Sequence, residues 1–134
     1  MKFIERTIYT KRIIPFINKP IIKVLTGQRR VGKSYVLLQL MEYIRSRDAD
    51  ANIVYINMEL EEFSAIRTYT DLNQYLKNKF PKGKHNYFFI DEVQEIEGFE
   101  RSLRSLLAKN TCDIYCTGSN ANMLSGELAT HLSG

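Results

Sequence analysis

The chain has 134 residues, the size of one domain, and its 44% hydrophobic and 25% charged residues are typical of a globular protein, which excludes wholesale disorder. Its 19 basic and 15 acidic side chains leave a formal charge of +4, which permits an anionic ligand but is less basic than a nucleic-acid-binding domain. No stretch of the sequence reaches the roughly eighteen uncharged apolar residues of a membrane span, so we expect no membrane partner. The N-terminal residues MKFIER are too charged for a secretory signal.

Strand-like and helix-like segments alternate along the chain. Residues 1–20 predict a helical lead-in, with a helix over residues 9–17 that Pro15 interrupts, and residues 21–134 predict one core domain. Apolar runs and helical spacing predict strands at 21–25, 53–56, 87–90 and 112–117 and helices at 34–47, 71–80 and 99–107. Asp71 is the predicted N-cap of the second of these helices. The alternation predicts a parallel sheet covered by helices on both faces, a doubly wound, three-layer α/β fold.

The two cysteines indicate the compartment of the protein. Cys112 and Cys116 lie four residues apart in a strand-like segment, which would place their Cα atoms about 13 Å apart, too far for a disulfide. His85 and His131 show no metal-ligand spacing to them. We therefore expect packing cysteines in a reducing compartment, and a cytoplasmic location.

The sequence GQRRVGKS at residues 27–34 is a complete G-x-x-x-x-G-K-S motif between a predicted strand and a predicted helix. Its glycines allow successive backbone N–H groups to surround a phosphate, and the helix N-terminus adds positive potential. Lys33 is expected to reach the β- and γ-phosphates, and the Ser34 hydroxyl to bind Mg²⁺. The predicted nucleotide-binding residues here are Gly27, Gln28, Arg29, Arg30, Val31, Gly32, Lys33, Ser34 and Tyr35.

Two carboxylates follow the apolar run at residues 87–90. In a parallel sheet the ligand crevice lies at the carboxyl ends of the strands, so Asp91 is expected beside the phosphate loop, where it would hold Mg²⁺. Glu92 is the predicted general base that polarises the attacking water.

Polar residues also follow two other predicted strands. Ser119 and Asn120 could contact the γ-phosphate or orient the water, although a helix-capping turn is an alternative interpretation. Asn57 and Glu59 could restrain Glu92, but a solvated loop is the favoured interpretation there. A guanine-binding Asn-Lys-x-Asp is missing, because the Asn-Lys pairs that begin at residues 18 and 78 lack the acid, and this favours ATP.

Four motifs together resemble one known group of proteins. They are TGQRRVGKS at 26–34, FIDEVQ at 89–94, TGSN at 117–120 and LSGELATHLSG at 124–134. Across nearly the whole chain, the sequence is similar to the ATPase domain of AAA-domain family fourteen, a group of bacterial and archaeal AAA+ proteins. The resemblance implies a P-loop NTPase of the additional-strand type, with sheet order 5-1-4-3-2. It also implies Walker A roles for Lys33 and Ser34, Walker B roles for Asp91 and Glu92, and the sensor-1 position for Ser119 and Asn120.

The sequence departs from this family at its end. In the family an arginine commonly follows the Leu-Ser-Gly that closes this chain, then a fifth strand, and members usually continue into a nuclease-like C-terminal region. Because the sequence stops at Gly134, we expect a truncated core that lacks strand 5 and exposes one edge of the first strand. We expect any trans-acting arginine finger to be absent from this chain, with other AAA+ protomers as candidate partners in trans. Loss of such a finger typically lowers phosphoryl transfer by about 10³–10⁵-fold.

The expected function is Mg²⁺-dependent hydrolysis of ATP, weak or absent in this form. One alternative is a small P-loop kinase, which a water-activating Glu92 disfavours. Another is a non-catalytic nucleotide-binding remnant or interaction module. DNA contact through the Lys-Gly-Lys turn at residues 82–84 is the weakest alternative, because no recognition motif accompanies it.

Overall fold

A parallel sheet lies at the centre of the fold. The computed structural model describes residues 11–26, 30–118 and 129–133. Within this part of the chain the strands are β1 (Ile22–Thr26), β2 (Asn52–Asn57), β3 (Asn86–Asp91), β4 (Asp113–Gly118) and β5 (Ala129–Ser133). Their order across the sheet is β2-β3-β4-β1-β5, and every neighbouring pair is parallel. The predicted parallel α/β sheet and the order 5-1-4-3-2 are therefore confirmed.

Three longer helices connect the strands of the described residues. They are α1 (Arg30–Arg47), α2 (Tyr69–Leu76) and α3 (Phe99–Ala108). Short 3-10 turns occupy Ile14–Phe16, Glu61–Phe63 and Val93–Glu95. In the lead-in, residues 11–13 are helical and Pro15 lies in the first 3-10 turn, while residues 9 and 10 of the predicted helix lie outside the described part.

Two apolar clusters cover the two faces of the sheet. Tyr87 and Phe89 of β3 belong to the cluster that includes the α1 side chains, whereas Phe88 and Ile90 belong to the cluster with α2 and α3. Successive residues of a strand point to opposite faces, so a strand covered on both sides is a continuous apolar run. The ring of Phe89 stacks on that of Tyr115 in β4 with centroids 4.4 Å apart.

Strand β5 contradicts the expectation that the fifth strand is missing. Each of its residues pairs with a residue of β1, from Ile22 with Ala129 to Thr26 with Ser133. Strand pairing uses main-chain N–H and C=O groups, so a short segment without a long apolar run is sufficient. The side of β1 that was expected to be an exposed edge is covered, and all five β1 residues are buried.

Helix α2 begins earlier and ends earlier than predicted. Thr68, not Asp71, is the N-cap, and the two form a capping box in which the Asp71 N–H donates to Thr68 Oγ1 at 3.4 Å and the Thr68 N–H donates to Asp71 Oδ2 at 3.1 Å. Backbone N–H donation from Arg67 and Thr68 lowers the pKa of Asp71. The helix ends at Leu76, and Asn78 then adopts a left-handed conformation with φ 67°.

Replacing Thr68 with Ala is expected to lower the free energy of unfolding by about 1 kcal/mol, because the helix N-terminus loses an acceptor for an N–H group. The measurement is urea denaturation followed by circular dichroism. Gln74→Ala, an exposed change on the same helix, serves as the control. Equal unfolding midpoints for the two variants would show that the capping box contributes nothing.

Both cysteines are free and buried in the cluster that contains α2 and α3, as the spacing predicted. Burial raises the pKa of each thiol to about 12, so both are inert packing residues. The ranges that the structure describes contain no group of three His, Cys, Asp or Glu side chains that could hold a metal. Within those same ranges, no helix combines the length and apolar character needed to cross a membrane.

Candidate functional site

The carboxyl ends of β1, β3 and β4 bring the candidate residues to one edge of the sheet. Thr26 at the end of β1 pairs with Gly118 at the end of β4, and β4 pairs in turn with β3, which ends at Asp91. Helix α1 begins at Arg30, four residues after β1 ends, so its first turns lie at this same edge. The predicted meeting of the phosphate-loop segment with the end of β3 is therefore what the topology produces.

Asp91 is the centre of the polar contacts at this edge. Its side chain is fully buried, and each carboxylate oxygen accepts a hydrogen bond: Oδ2 from the Ser34 hydroxyl and Oδ1 from the Thr117 hydroxyl. Burial raises the pKa of Asp91, and the two hydroxyl donors oppose that rise. A buried carboxylate with raised pKa is stabilised by a nearby cation, and the charged form is costly without one.

The oxygen atoms of Ser34 and Asp91 have the chemistry that Mg²⁺ requires. Mg²⁺ prefers hard oxygen ligands and is commonly held by one or two carboxylates, with water and substrate phosphates completing its shell. The direct contact of the Ser34 hydroxyl with Asp91 shows that both donors can reach one ion, so the residues present fit the metal.

Glu92 follows Asp91 in a left-handed conformation, with φ 58° and ψ 54°. Such a backbone costs a non-glycine residue about 1 kcal/mol or more and persists only where its surroundings hold it. Here the Glu92 N–H donates to Thr117 Oγ1 at 2.9 Å, and the next turn carries Val93 and Ile96 into the core. The Glu92 side chain that results is only 2% exposed.

Lys33 lies close to Glu92. Its ammonium donates to the carbonyl of Gly118 at 2.7 Å and lies 3.8 Å from Glu92 Oε2. Since the Lys33 side chain is 7% exposed, the cation and the carboxylate interact with little screening by water. Tyr35, two residues on, is 37% exposed.

Two residues at the site were not predicted from the sequence. Thr117 binds both Asp91 and the backbone of Glu92, and the Gln94 amide donates to Glu92 Oε1 at 2.7 Å. The signal for Gln94 was its place two residues after Glu92 in the FIDEVQ motif, and the signal for Thr117 was its position at the end of the fourth predicted strand.

Some of the remaining predicted residues lie in the described part of the chain, and others lie outside it. Asn57 is the half-buried last residue of β2, where it pairs with Asp91, and its side chain accepts a hydrogen bond from the Glu59 N–H at 3.0 Å. Glu59 lies in the exposed turn that follows β2, in agreement with the loop interpretation for that residue. Arg30, Val31 and Gly32 lie in the first turn of α1. Five predicted residues lie outside the described part of the chain: Gly27, Gln28, Arg29, Ser119 and Asn120.

The sequence resembles one family and two relatives of unassigned function. Residues 19–134 match a family model described as an AAA domain. A Haemophilus influenzae protein is 41% identical over 133 residues, covering 98% of this chain and 33% of that protein. A Methanocaldococcus jannaschii protein is 35% identical over 133 residues, covering 99% of this chain and 28% of that protein. The chain thus spans a third or less of the length of these curated relatives.

Solved structures share the fold at low sequence identity. Drosophila ORC bound to AT-rich DNA and Cdc6 has a TM-score of 0.57 at 10% identity, over 90% of this chain and 48% of that one. The Aeropyrum pernix ORC2 protein in its ADPNP-ADP complexes has a TM-score of 0.52 at 13% identity, over 98% of this chain and 46% of that one. C. elegans PCH-2 has a TM-score of 0.51 at 14% identity, over 95% of this chain and 39% of that one. These likenesses show the P-loop NTPase fold of AAA+ ATPases.

The sheet order and the family match over residues 19–134 agree with the motifs, and the chain belongs to AAA-domain family fourteen of the AAA+ proteins.

Proposed function

We propose that this domain binds ATP together with Mg²⁺ and hydrolyses it to ADP and phosphate. The observation that carries the proposal is the contact between the Ser34 hydroxyl and the buried Asp91 carboxylate, which joins the phosphate-loop helix to the end of β3. Lys33 and Glu92 lie at the same edge, 3.8 Å apart between Nζ and Oε2.

Each residue has a distinct role in this proposal. Lys33 binds the β- and γ-phosphates, and the motif at residues 27–34 is of the type whose backbone N–H groups bind phosphate. Ser34 and Asp91 hold Mg²⁺. The bound ion would neutralise charge on the phosphate oxygens. Ser119 and Asn120 keep their predicted role at the γ-phosphate.

Glu92 is the proposed general base. It takes a proton from water, the water oxygen forms a bond to the γ-phosphorus, and the bond from that phosphorus to the β–γ bridging oxygen breaks, so ADP and phosphate leave. A base positioned to activate water favours hydrolysis over transfer of the γ-phosphoryl group to a second substrate. This is the reason to prefer an ATPase to a kinase.

Two further features support an adenine nucleotide as the ligand. The structural neighbour from Aeropyrum pernix was solved in ADPNP-ADP complexes, and the guanine-binding Asn-Lys-x-Asp is missing from this sequence.

We propose that full turnover requires an arginine from a second AAA+ protomer, as the family resemblance implies. The free, buried cysteines support a cytoplasmic location.

Replacing Lys33 with Ala is expected to weaken Mg·ATP binding by about 2 kcal/mol, roughly thirtyfold, because charge-assisted bonds to the phosphates are lost. Isothermal titration calorimetry measures this without requiring turnover. Lys109→Ala, which removes an exposed lysine at the end of α3, is the control. Wild-type affinity in a folded Lys33→Ala protein would refute the phosphate-binding role.

A further inference from the structure

We propose that Gln94 is a positioning residue for Glu92: it holds one carboxylate oxygen so that the other accepts the proton of the attacking water. The inference rests on the proposed ATPase function and extends it to a residue outside the four Walker side chains.

The contact between the two side chains has only one chemically sensible orientation. The Gln94 amide nitrogen lies 2.7 Å from Glu92 Oε1, and an amide carbonyl at that place would repel the carboxylate. The N–H group therefore donates to Oε1. Such charge-assisted bonds are stronger than neutral ones and fix the acceptor in direction as well as distance.

The other end of the same amide argues against a packing role. Gln94 Oε1 is buried and has no hydrogen-bond partner among the described residues. A side chain that only filled space would be better served by an apolar residue, because an unpaired buried acceptor is costly. The amide is explained by the donation from its nitrogen to Glu92.

The local backbone keeps the Gln94 amide in place. Gln94 lies in the 3-10 turn Val93–Glu95, between Val93 and Ile96, whose side chains are both fully buried in the core. The Glu92 backbone is fixed in turn by Thr117. Base and positioning residue thus lie at the same turn, which is anchored by buried side chains, and precise catalytic geometry requires groups anchored in this way.

The geometry also assigns a different role to each of the two carboxylate oxygens of Glu92. Gln94 contacts Oε1, while Oε2 lies 3.8 Å from Lys33 Nζ. Because Lys33 is the proposed ligand of the β- and γ-phosphates, the atom on its side of the carboxylate faces the γ-phosphorus. Oε2 is therefore the proton acceptor.

Steady-state ATP hydrolysis by the whole chain tests the proposal. Gln94→Met keeps the length but removes the donor, and Gln94→Glu places a second carboxylate beside the first; both should lower kcat about tenfold or more, with KM changed less than twofold. Gln94→His retains a ring N–H and should recover part of kcat. Gln74→Met, the same change at an exposed position on α2, should leave both constants unchanged.

A second measurement does not depend on turnover. In the ¹⁵N–¹H spectrum, the Gln94 side-chain amide, identified by its loss in Gln94→Met, should exchange slowly with solvent. In the Glu92→Ala variant, the Gln94 amide should exchange with solvent about as fast as the exposed Gln74 amide. An exchange rate of the Gln94 amide that is the same in Glu92→Ala as in the wild type would overturn the proposed contact.

The outcomes separate this proposal from the function on which it rests. If the wild type hydrolyses ATP and Gln94→Met has the same kcat, the role of Gln94 is refuted while the ATPase function stands. If Gln94→Met instead raises KM and lowers the thermal stability of the protein, Gln94 has a structural role, and the positioning role is also refuted. If the wild type binds Mg·ATP without hydrolysing it even at protein concentrations at which protomers associate, the hydrolytic function fails and the role of Gln94 fails with it.

Discussion

Replacing Glu92 with Gln is expected to lower ATP hydrolysis by about 10²–10⁴-fold, because the amide cannot take the proton of the attacking water. The change preserves shape, and Lys33, Ser34 and Asp91 remain to bind Mg·ATP, so the affinity for nucleotide should stay within a few-fold of the wild type. Single-turnover hydrolysis of γ-labelled ATP measures the rate, and calorimetry measures the affinity.

Glu95→Gln is the matched control for this substitution. It makes the same chemical change in the same 3-10 turn, but the Glu95 side chain is exposed to solvent. Its hydrolysis rate should equal that of the wild type. Equal rates for Glu92→Gln and the wild type would show that Glu92 is not the base. Formation of ADP that depends on an added acceptor, with the phosphoryl group transferred to it, would revive the kinase alternative.

The position of Asp91 could be predicted because two simple rules agree there. The run at residues 87–90 is apolar throughout, as expected of a strand buried on both faces, and the structure buries all four side chains. The first polar residue after such a run lies at the carboxyl edge, where the crevice of a parallel sheet forms.

The contacts of Thr117 and Gln94 could not be predicted in the same way. Thr117 reaches Asp91 because β4 lies beside β3, a neighbour relation that periodicity along the chain does not encode. Gln94 reaches Glu92 because the backbone of Glu92 is left-handed, and a glutamate gives no sequence signal for that conformation.

The end of α2 shows how an apolar pattern can mislead. Phe80 has helical spacing with Leu72 and Leu76, which extended the predicted helix to residue 80. In the structure Phe80 follows the helix in a turn and still packs its ring against Phe88, with centroids 6.0 Å apart. Packing of the half-buried Phe80 ring against the core, rather than helical structure, explains why this position is apolar.

A second polar network at the opposite end of the sheet contributes to stability. Lys23 of β1 is fully buried, and its ammonium donates to Asp113 at the start of β4 and to the carbonyl of Lys19 at 2.8 Å. Asp113 Oδ2 also accepts from the Tyr115 hydroxyl at 2.5 Å and the Asn18 N–H at 2.8 Å. Burial lowers the pKa of Lys23, and Asp113 opposes that fall.

Replacing Asp113 with Asn is therefore expected to lower the free energy of unfolding by about 3 kcal/mol, because a buried ammonium loses its counter-charge. Urea denaturation at neutral pH measures the loss, with Asp50→Asn, an exposed aspartate in a turn, as the control. In the double variant with Lys23→Met, the combined loss should be smaller than the sum of the two single losses, since no buried charge remains unpaired. Additive losses would show that the pair does not interact.

The pH dependence gives an independent check of the same pair. Unfolding returns Lys23 to its ordinary pKa of 10.5, whereas in folded Asp113→Asn the pKa is lower still than in the wild type, because the opposing carboxylate is gone. At a pH between the pKa of Lys23 in the folded variant and its pKa in the unfolded chain, the unfolded chain binds more protons than the folded one. The free energy of unfolding of the variant therefore rises with pH in this range. The stability gap between Asp113→Asn and the wild type should therefore narrow as pH increases from about 7 to about 10. A constant gap over that range would mean that Lys23 does not titrate in the folded variant and that the loss has another cause.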